Sequence, residues 1–170
     1  MKKIIVFLLL CLSVNVSAQS VFGIDVNTTN KKFCLQMLKK GYKPYEKVSQ
    51  RTKFKVTYAG YTKTDMEILY DDSNGMIREV EFFFKNRSND ENQQIFDNLE
   101  AQFRKKYDSC KRNDLDIDVI NSHLHSLNID LHNGGYITLG FNIPKNELWV
   151  SYIAKYNSTT KSDVKPNKDI

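Results

Sequence analysis

The chain has 170 residues, of which 41% are hydrophobic and 26% are charged, and this composition fits one folded domain or two small units that share a core. Its formal net charge is +5, but the lysines are scattered among acids rather than gathered in one stripe. This pattern disfavours a nucleic-acid-binding protein, and no partner of that class is predicted.

The first 18 residues have the three parts of a secretory signal peptide. Lys2 and Lys3 form a positively charged start, residues 4–12 are apolar, and small residues at 16–18 form a cleavage site. The apolar run is too short to span a bilayer comfortably, so a membrane anchor is the weaker interpretation. We therefore predict that the mature chain starts at Gln19, has no transmembrane segment, and is periplasmic or secreted. Removing two lysines and no acid lowers its net charge from +5 to +3.

The first half of the mature chain predicts one helix and a meander of strands. Residues 21–26 alternate enough to form a strand or an extended entry. Residues 31–40 are the predicted helix, because apolar side chains recur on one of its faces: Phe33, Cys34, Met37 and Leu38. Gly41 follows, at the place where a helix end favours a left-handed residue. Strands are predicted at residues 54–58, 66–70 and 76–84, with Asn74 and Gly75 in the hairpin turn.

The second half follows the same order of elements, which predicts an internal duplication. Ser88 and Glu91 form a capping box at the start of a helix of about 16 residues. Its apolar face is made by Ile95, Phe96, Leu99, Phe103 and Tyr107. Strands are predicted at residues 118–132, 136–142 and 147–155, and the first of these is either one bent strand or two strands.

These elements predict an α+β fold, in which an antiparallel β-sheet carries two amphipathic helices on one face. The domain spans residues 19–156 and contains two similar α-β-β-β units, at about residues 21–87 and 88–156. Residues 157–170 contain hardly any apolar side chain, so they are predicted to be a flexible tail.

Four short segments follow one another along the chain: Phe22-Gly23-Ile24-Asp25-Val26, Lys39-Lys40-Gly41-Tyr42, Tyr58-Ala59-Gly60-Tyr61 and Arg104-Lys105-Lys106-Tyr107. In this order they resemble small exported proteins of Gram-negative bacteria. The helix-plus-meander units of those proteins are similar to the duplicated units of beta-lactamase inhibitor proteins. The resemblance implies the duplicated α+β fold, and it carries over no catalytic residue and no inhibitor contact.

Two cysteines remain after the leader is removed, Cys34 and Cys110. An oxidising compartment favours a disulfide between them, and two separate buried thiols are the alternative. The sequence does not decide between the two, because a disulfide needs Cα atoms within about 7 Å of each other.

All three histidines lie in one short region and are candidate metal ligands. His123 and His125 share a face if the region is a strand, which suits a metal such as zinc, and His132 is the candidate third ligand. However, no cysteine or carboxylate completes the set, and His132 points the other way in a straight strand. Strand histidines that are exposed or hydrogen-bonded are the favoured interpretation, and no cofactor is predicted.

Many aromatic residues fall on predicted strands, where most are expected to lie in the core or in cross-strand pairs. Phe82, Phe83 and Phe84 cannot all face the core, because adjacent strand residues alternate between the two faces. The ring that points away, together with the aromatic residues beside it, is a candidate contact surface. The candidate binding residues are Phe83, Tyr58, Tyr61, Trp149 and Tyr152.

The sequence contains no Gly-rich phosphate loop, Gly-x-Ser-x-Gly elbow or His-Glu-x-x-His helix. We therefore predict no catalytic residue, and a non-catalytic protein-binding or envelope-associated module whose partner is another protein. A metal-binding protein or metal-dependent hydrolase that uses the histidines is the alternative. A purely structural envelope component is the third interpretation.

Overall fold

The computed structural model describes residues 20–107, 109–117, 122–131 and 134–155. The predicted leader and tail lie outside these ranges. Within them the chain forms two α-helices, α1 (Asn30–Lys39) and α2 (Asn89–Lys106), and ten β-strands. The strands are β1 (Ser20–Val21), β2 (Ile24–Asp25), β3 (Pro44–Val48), β4 (Arg51–Tyr58), β5 (Tyr61–Tyr70), β6 (Ile77–Phe83), β7 (Cys110–Ile117), β8 (Ser122–Asp130), β9 (Tyr136–Asn142) and β10 (Glu147–Ile153).

Eight of the described strands form one sheet in the order β3-β4-β5-β6-β10-β9-β8-β7, and β1 and β2 form a separate hairpin. Every neighbouring pair in the large sheet is antiparallel. This confirms the prediction of an α+β fold with an antiparallel sheet. The sheet is continuous because β6 pairs with β10, so that Phe82 lies opposite Val150 and Phe83 lies opposite Trp149.

Each helix is followed by four strands, and not by the three that the sequence pattern predicts. The additional strand of the first half is β3, which begins at Pro44 and is mostly exposed. It shows no apolar alternation because it is an edge strand, where Pro and charged residues are tolerated. In the second half β7 is the additional strand, and the described part of the predicted strand at residues 118–132 contains β8. Residues 118–121 and 132 of that prediction lie outside the described residues.

The two helices start in different ways. Ser88 caps α2: its Oγ accepts a hydrogen bond from the Glu91 amide at 3.2 Å, and its own amide donates to Glu91 Oε2 at 2.8 Å. The predicted capping box is therefore confirmed. Thr29 caps α1 with one longer bond of 3.4 Å from the Lys32 amide, and the residue at the third helical position is a lysine that cannot return the bond.

One face of the large sheet carries a row of buried apolar side chains that lie directly opposite one another on six strands. The row consists of Phe54, Met66, Phe82, Val150, Leu139 and Leu127, all with no exposed surface. Asn30 of α1 contacts this sheet by donating from Nδ2 to Thr52 Oγ1 at 3.2 Å. From α2, Glu100 pairs with Arg112 of β7 at 3.0 Å. Buried apolar side chains of both helices and of the sheet thus belong to one hydrophobic core.

Of the two alternatives for Cys34 and Cys110, the structure has two separate thiols. The Cys34 thiol donates to Asn30 Oδ1 at 3.1 Å, and the Cys110 thiol donates to the carbonyl of Tyr107 at 3.3 Å. The two thiols are not joined. Asn30 contacts β4, and Cys110 begins β7, six strands away in the sheet order. Six strand spacings are about 28 Å, far beyond the reach of a disulfide.

Candidate functional site

The strand residues that alternate with the core row point to the opposite face of the sheet. Two rows of directly paired residues cross the middle of that face, from β4 to β9. One row is Lys55, Asp65, Phe83, Trp149 and Gly140, and the next is Lys53, Glu67, Glu81, Ser151 and Thr138. Charged and aromatic side chains therefore meet at the centre of the sheet.

A groove of about 540 Å³ lies over these rows, and we call it the sheet groove. It is lined by Glu67, Glu81, Phe83, Phe84, Lys85, Asn86, Asn146, Glu147, Leu148 and Trp149. Its walls come from β5, β6, β10, the segment after β6 and the turn before β10. The groove is thus built where the two halves of the sheet meet.

Phe83 and Trp149 form the aromatic wall of the sheet groove. They lie directly opposite each other on β6 and β10, and both are half-buried. Gly140 lies opposite Trp149 on β9, and a Cβ atom at this position would overlap the indole ring. The missing side chain therefore lets the indole lie against the β9 backbone. On the other side, Lys85 Nζ lies 5.5 Å from the centre of the Phe83 ring.

Two glutamates face each other at the floor of the groove. Glu67 on β5 lies directly opposite Glu81 on β6, a pairing of like charges that is unfavourable in itself. The charge of Glu67 is balanced by Arg51 at 3.3 Å and Lys53 at 3.7 Å. Glu81 has no ion pair among the described residues.

Glu81 is half-buried, and its environment favours the protonated form. Burial, and then the neighbouring carboxylates of Glu79 and Glu67, raise the pKa of Glu81 from 4.5 to about 7. Glu79 itself accepts a hydrogen bond from the hydroxyl of Ser151. Arg51 lowers this pKa only in part, because its guanidinium pairs with Glu67 and forms no ion pair with Glu81. Glu81 is therefore a carboxyl group with a pKa near neutral pH and without an ion pair in the described structure.

Asp65 lies in the neighbouring row, and lysines balance the charge of its carboxylate. Its carboxylate contacts Lys55, lies 3.3 Å from Lys85 Nζ, and accepts a hydrogen bond from the Tyr45 hydroxyl at 3.2 Å. Burial alone would raise the pKa of Asp65, but the bonds to Lys55 and Lys85 outweigh it and the pKa is lowered. Burial and the same aspartate raise the pKa of Tyr45 to about 12. Asp65 therefore links β3, β4 and the segment after β6 on this face of the sheet.

The five predicted binding residues lie in three different places in the structure. Phe83 and Trp149 come together in the sheet groove. Tyr58 and Tyr152 are core residues on the opposite face, 9% and 7% exposed, and their hydroxyl oxygens lie 2.8 Å apart. They border a separate cavity of about 620 Å³ beside Phe103. The five residues therefore do not form one contact surface.

Tyr61, the fifth predicted binding residue, lies at the start of β5. Its ring packs edge-on against Phe84, with ring centres 5.8 Å apart. Its hydroxyl accepts a hydrogen bond from Asn98 Nδ2 of α2 at 3.3 Å. Tyr61 thus links the β-sheet to α2, and it does not line the sheet groove.

Sequence reasoning missed Glu67, Glu81 and Gly140. The signal for Glu81 was present, because Glu79, Glu81 and Phe83 alternate with the core residues Val80 and Phe82. The signals for Glu67 and Gly140 were absent, because they depend on which strand residue lies opposite which, and this register follows from pairing distant segments.

The predicted histidine site is only partly within the described residues. The ring of His125 lies 6.0 Å from the ring of Phe96, and His123 lies opposite Asp116 in the β7–β8 register. His132 lies outside the described ranges. Within the described part of the chain, no three His, Cys, Asp or Glu side chains cluster as a metal site would require. Metal binding stays the alternative interpretation, and metal analysis of the purified full chain tests it.

Neither helix in the described ranges is long and apolar enough to cross a membrane. Comparisons with protein-family models, with curated proteins and with solved structures found no match for this chain. The chemistry of the sheet groove is accordingly inferred from the side chains that line it.

Proposed function

We propose that this chain is an exported, non-catalytic module that binds another protein through the sheet groove. One observation carries the proposal: a half-buried carboxyl group, Glu81, lies beside the aromatic wall of Phe83 and Trp149 and has no ion pair among the described residues. The signal-peptide pattern of the first 18 residues supports export to the periplasm or the medium.

The groove favours a basic side chain of the partner. A lysine or arginine places its charge beside Glu81 and its apolar stem along the two rings, so that ion pairing and cation–π attraction act together. Anionic groups are disfavoured, because Glu67, Glu81 and Glu147 all line the groove. Binding of a cation also stabilises the ionised form of Glu81, so it lowers the pKa of this group and releases a proton.

The neighbouring polar groups support a binding role because most of them are already engaged. Glu67 is paired with Arg51 and Lys53, and Glu79 accepts from Ser151. They fix the shape and charge of the groove before a partner arrives. Preorganised groups of this kind improve affinity, because little side-chain entropy is lost on binding.

The internal repeat and the placement of the two helices are part of the same proposal. We infer two similar units, each a helix followed by strands, with both helices on the core face of the sheet. The contact from α1 to Thr52 and the contact from α2 to Arg112 support this, because both residues belong to the same alternation as the buried row. The resemblance to exported proteins with units like those of beta-lactamase inhibitor proteins is part of this inference. In this arrangement the groove face stays open for a partner.

Site-specific cross-linking tests the proposed partner surface. A photo-reactive phenylalanine analogue replaces Phe83 in the full chain, which is expressed with its leader in a bacterial host. The control carries the analogue at Tyr136, which is 43% exposed and lies outside the groove lining. We expect a discrete protein adduct from position 83 and none from position 136. Identical adducts from both positions, or no adduct from position 83, would contradict the proposal.

The preference for a basic side chain has its own readout, because Trp149 is the only tryptophan of the chain. Short lysine-containing peptides should change its fluorescence in a saturable way, and the same peptides with acetylated lysines should not. Glu81→Gln should weaken the response, and Glu147→Gln on the rim should change it less. Equal responses to both kinds of peptide would rule out charge recognition at Glu81.

A further inference from the structure

The solvent side of α1 combines exposed leucines with lysines. Among the described residues, five large hydrophobic side chains are exposed, and two of them lie on α1: Leu35 at 54% and Leu38 at 46%. The opposite side of the same helix is buried through Asn30, Phe33 and Met37. The two leucines are therefore not part of the core.

Helical spacing places lysines on both sides of these leucines. Lys31 and Lys39 lie four residues before and after Leu35, and Lys32 lies three residues before it. All three lysines are exposed. We define the outer face of α1 as Lys31, Lys32, Leu35, Leu38 and Lys39.

The chain segment that carries this face is basic, and the acids at its two ends are engaged elsewhere. Asp25 accepts a hydrogen bond from the Asn27 amide at 2.9 Å, and Glu46 lies 3.0 Å from Lys53 Nζ. Residues 26–45 include five lysines and no aspartate or glutamate. None of the five, which are Lys31, Lys32, Lys39, Lys40 and Lys43, forms an ion pair with a described residue. The positive charge is therefore available to a partner outside the chain.

The helix α2 shows that this pattern is not a general property of solvent-facing helices in the protein. Its exposed residues include Asp90, Glu91 and Asp97 as well as basic residues near its end. No large hydrophobic residue of α2 is exposed. Of the two helices, only α1 thus has exposed leucines, and its exposed charged residues are all lysines.

We propose that the outer face of α1 docks onto an anionic phospholipid surface. The two leucine side chains enter the boundary between head groups and acyl chains, and the lysines contact lipid phosphates around them. The charge selects an anionic partner. A lipid surface suits this face better than an acidic protein, because its apolar part is only two side chains on a convex helix. Such a small tip inserts into a fluid boundary without needing a matching pocket.

Vesicle co-sedimentation tests this proposal with the full mature chain. We expect binding to vesicles of phosphatidylglycerol mixed with phosphatidylcholine, and at least about tenfold weaker binding to pure phosphatidylcholine. Replacing Lys32 or Lys39 by Gln should weaken binding about fivefold each, since each lysine near an anionic surface contributes on this scale. The double variant L35S/L38S should weaken binding by a similar or larger factor.

Matched controls make the outcomes decisive. Lys105→Gln with Lys106→Gln removes two exposed lysines from the end of α2 and should leave vesicle binding nearly unchanged. Circular dichroism verifies that each variant stays folded. Equal binding to neutral and anionic vesicles would overturn the proposal, as would an equal loss in the α2 control. Full binding by L35S/L38S would overturn it too, and binding of polyglutamate but not of vesicles would favour an acidic protein instead.

Discussion

Glu81 affects both the stability of the fold and the proposed binding of a cation. Its carboxyl group lies opposite Glu67 on the neighbouring strand, and Ser151, which lies opposite it on β10, donates to Glu79 instead. Burial, Glu79 and Glu67 together raise the pKa of Glu81 to about 7. A protonated Glu81 relieves the repulsion in the free protein, and an ionised Glu81 suits a bound cation. The same group is therefore costly to ionise in the fold and useful in binding.

The raised pKa predicts a pH dependence of stability that belongs to this residue. The folded state keeps the Glu81 proton up to about pH 7, whereas the unfolded chain loses it near 4.5. Stabilisation by the bound proton is therefore complete below about pH 4.5 and is lost as the pH rises through about 7. The pKa difference corresponds to about 3 kcal/mol at most, and solvent screening at this half-buried site reduces that figure. Urea unfolding followed by Trp149 fluorescence between about pH 5 and pH 8 measures it.

The variant Glu81→Gln isolates this contribution, because glutamine is similar in size and does not titrate. The difference in unfolding free energy between the original protein and Glu81→Gln should change with pH over this window, with the glutamine variant gaining relative stability as the pH rises. Glu147→Gln, an exposed residue on the rim of the same groove, should leave the pH profile of the original protein intact. An unchanged profile in Glu81→Gln would show that another group titrates there.

At the scale of elements, α2 depends on its start more than α1 does. Both reciprocal bonds of the capping box are present at Ser88, at 3.2 Å and 2.8 Å, whereas Thr29 accepts a single bond of 3.4 Å. Ser88 also donates from its hydroxyl to Glu91, and these bonds lower the pKa of Glu91. The start of the longer helix is therefore held by more local hydrogen bonds than the start of α1.

This geometry predicts a larger effect of Ser88→Ala than of Thr29→Ala. Loss of a Ser or Thr cap costs about 1 kcal/mol on average, and we expect Ser88→Ala to lose at least that much, because the reciprocal bonds weaken together. Ser88→Thr keeps the hydroxyl group and should restore most of the stability. Urea midpoints of the three variants provide the measurement. A larger loss for Thr29→Ala than for Ser88→Ala would contradict the capping argument.

The elements also show how much of the fold is predictable from sequence. The start of α2 was predictable because Ser88 and Glu91 interact within one helical turn. The strand β3 was not, because Pro44 and its charged neighbours lie on an edge where burial imposes no alternation. The sequence pattern could show that Phe83 points away from Phe82, but only the register places Glu67 opposite Glu81. Local features were predictable, and features that depend on distant pairing were not.

The local distribution of charged residues was also more informative about a binding surface than the net charge of the chain. The chain as a whole mixes lysines with acids, which disfavours one long basic stripe. The lysines of residues 31–43 nevertheless surround two exposed leucines, and this became visible only when burial assigned Phe33 and Met37 to the core side of α1. The sequence pattern places Leu38 on the core face of the helix, and its 46% exposure corrects that interpretation.

At the scale of the whole molecule, the two proposed surfaces belong to different parts of one sheet-and-helix structure. The sheet groove lies on the face opposite the buried row, whereas α1 contacts the strands through Thr52, which shares the alternation of that row. In the two proposals the outer face of α1 contacts lipid and the sheet groove contacts a protein, so the two partners do not compete for one surface. The sheet groove depends on the sheet being continuous from the first half to the second, because β6 and β10 both line it.

That continuity depends on the β6–β10 pairing, and Phe82→Ala tests it. Phe82 is fully buried, stacks on Tyr58 with ring centres 4.0 Å apart, and lies opposite Val150 of the second half. Truncating such a ring costs about 3–5 kcal/mol. We expect hydrogen exchange to show an equal loss of protection in β4 and β9, because one shared core makes unfolding cooperative. Phe83→Ala, the adjacent half-buried ring in the groove, should cost only about 1 kcal/mol. If Phe82→Ala weakened protection in β4 alone, the two halves would unfold as separate units. The groove between them would then not be held by one cooperative core.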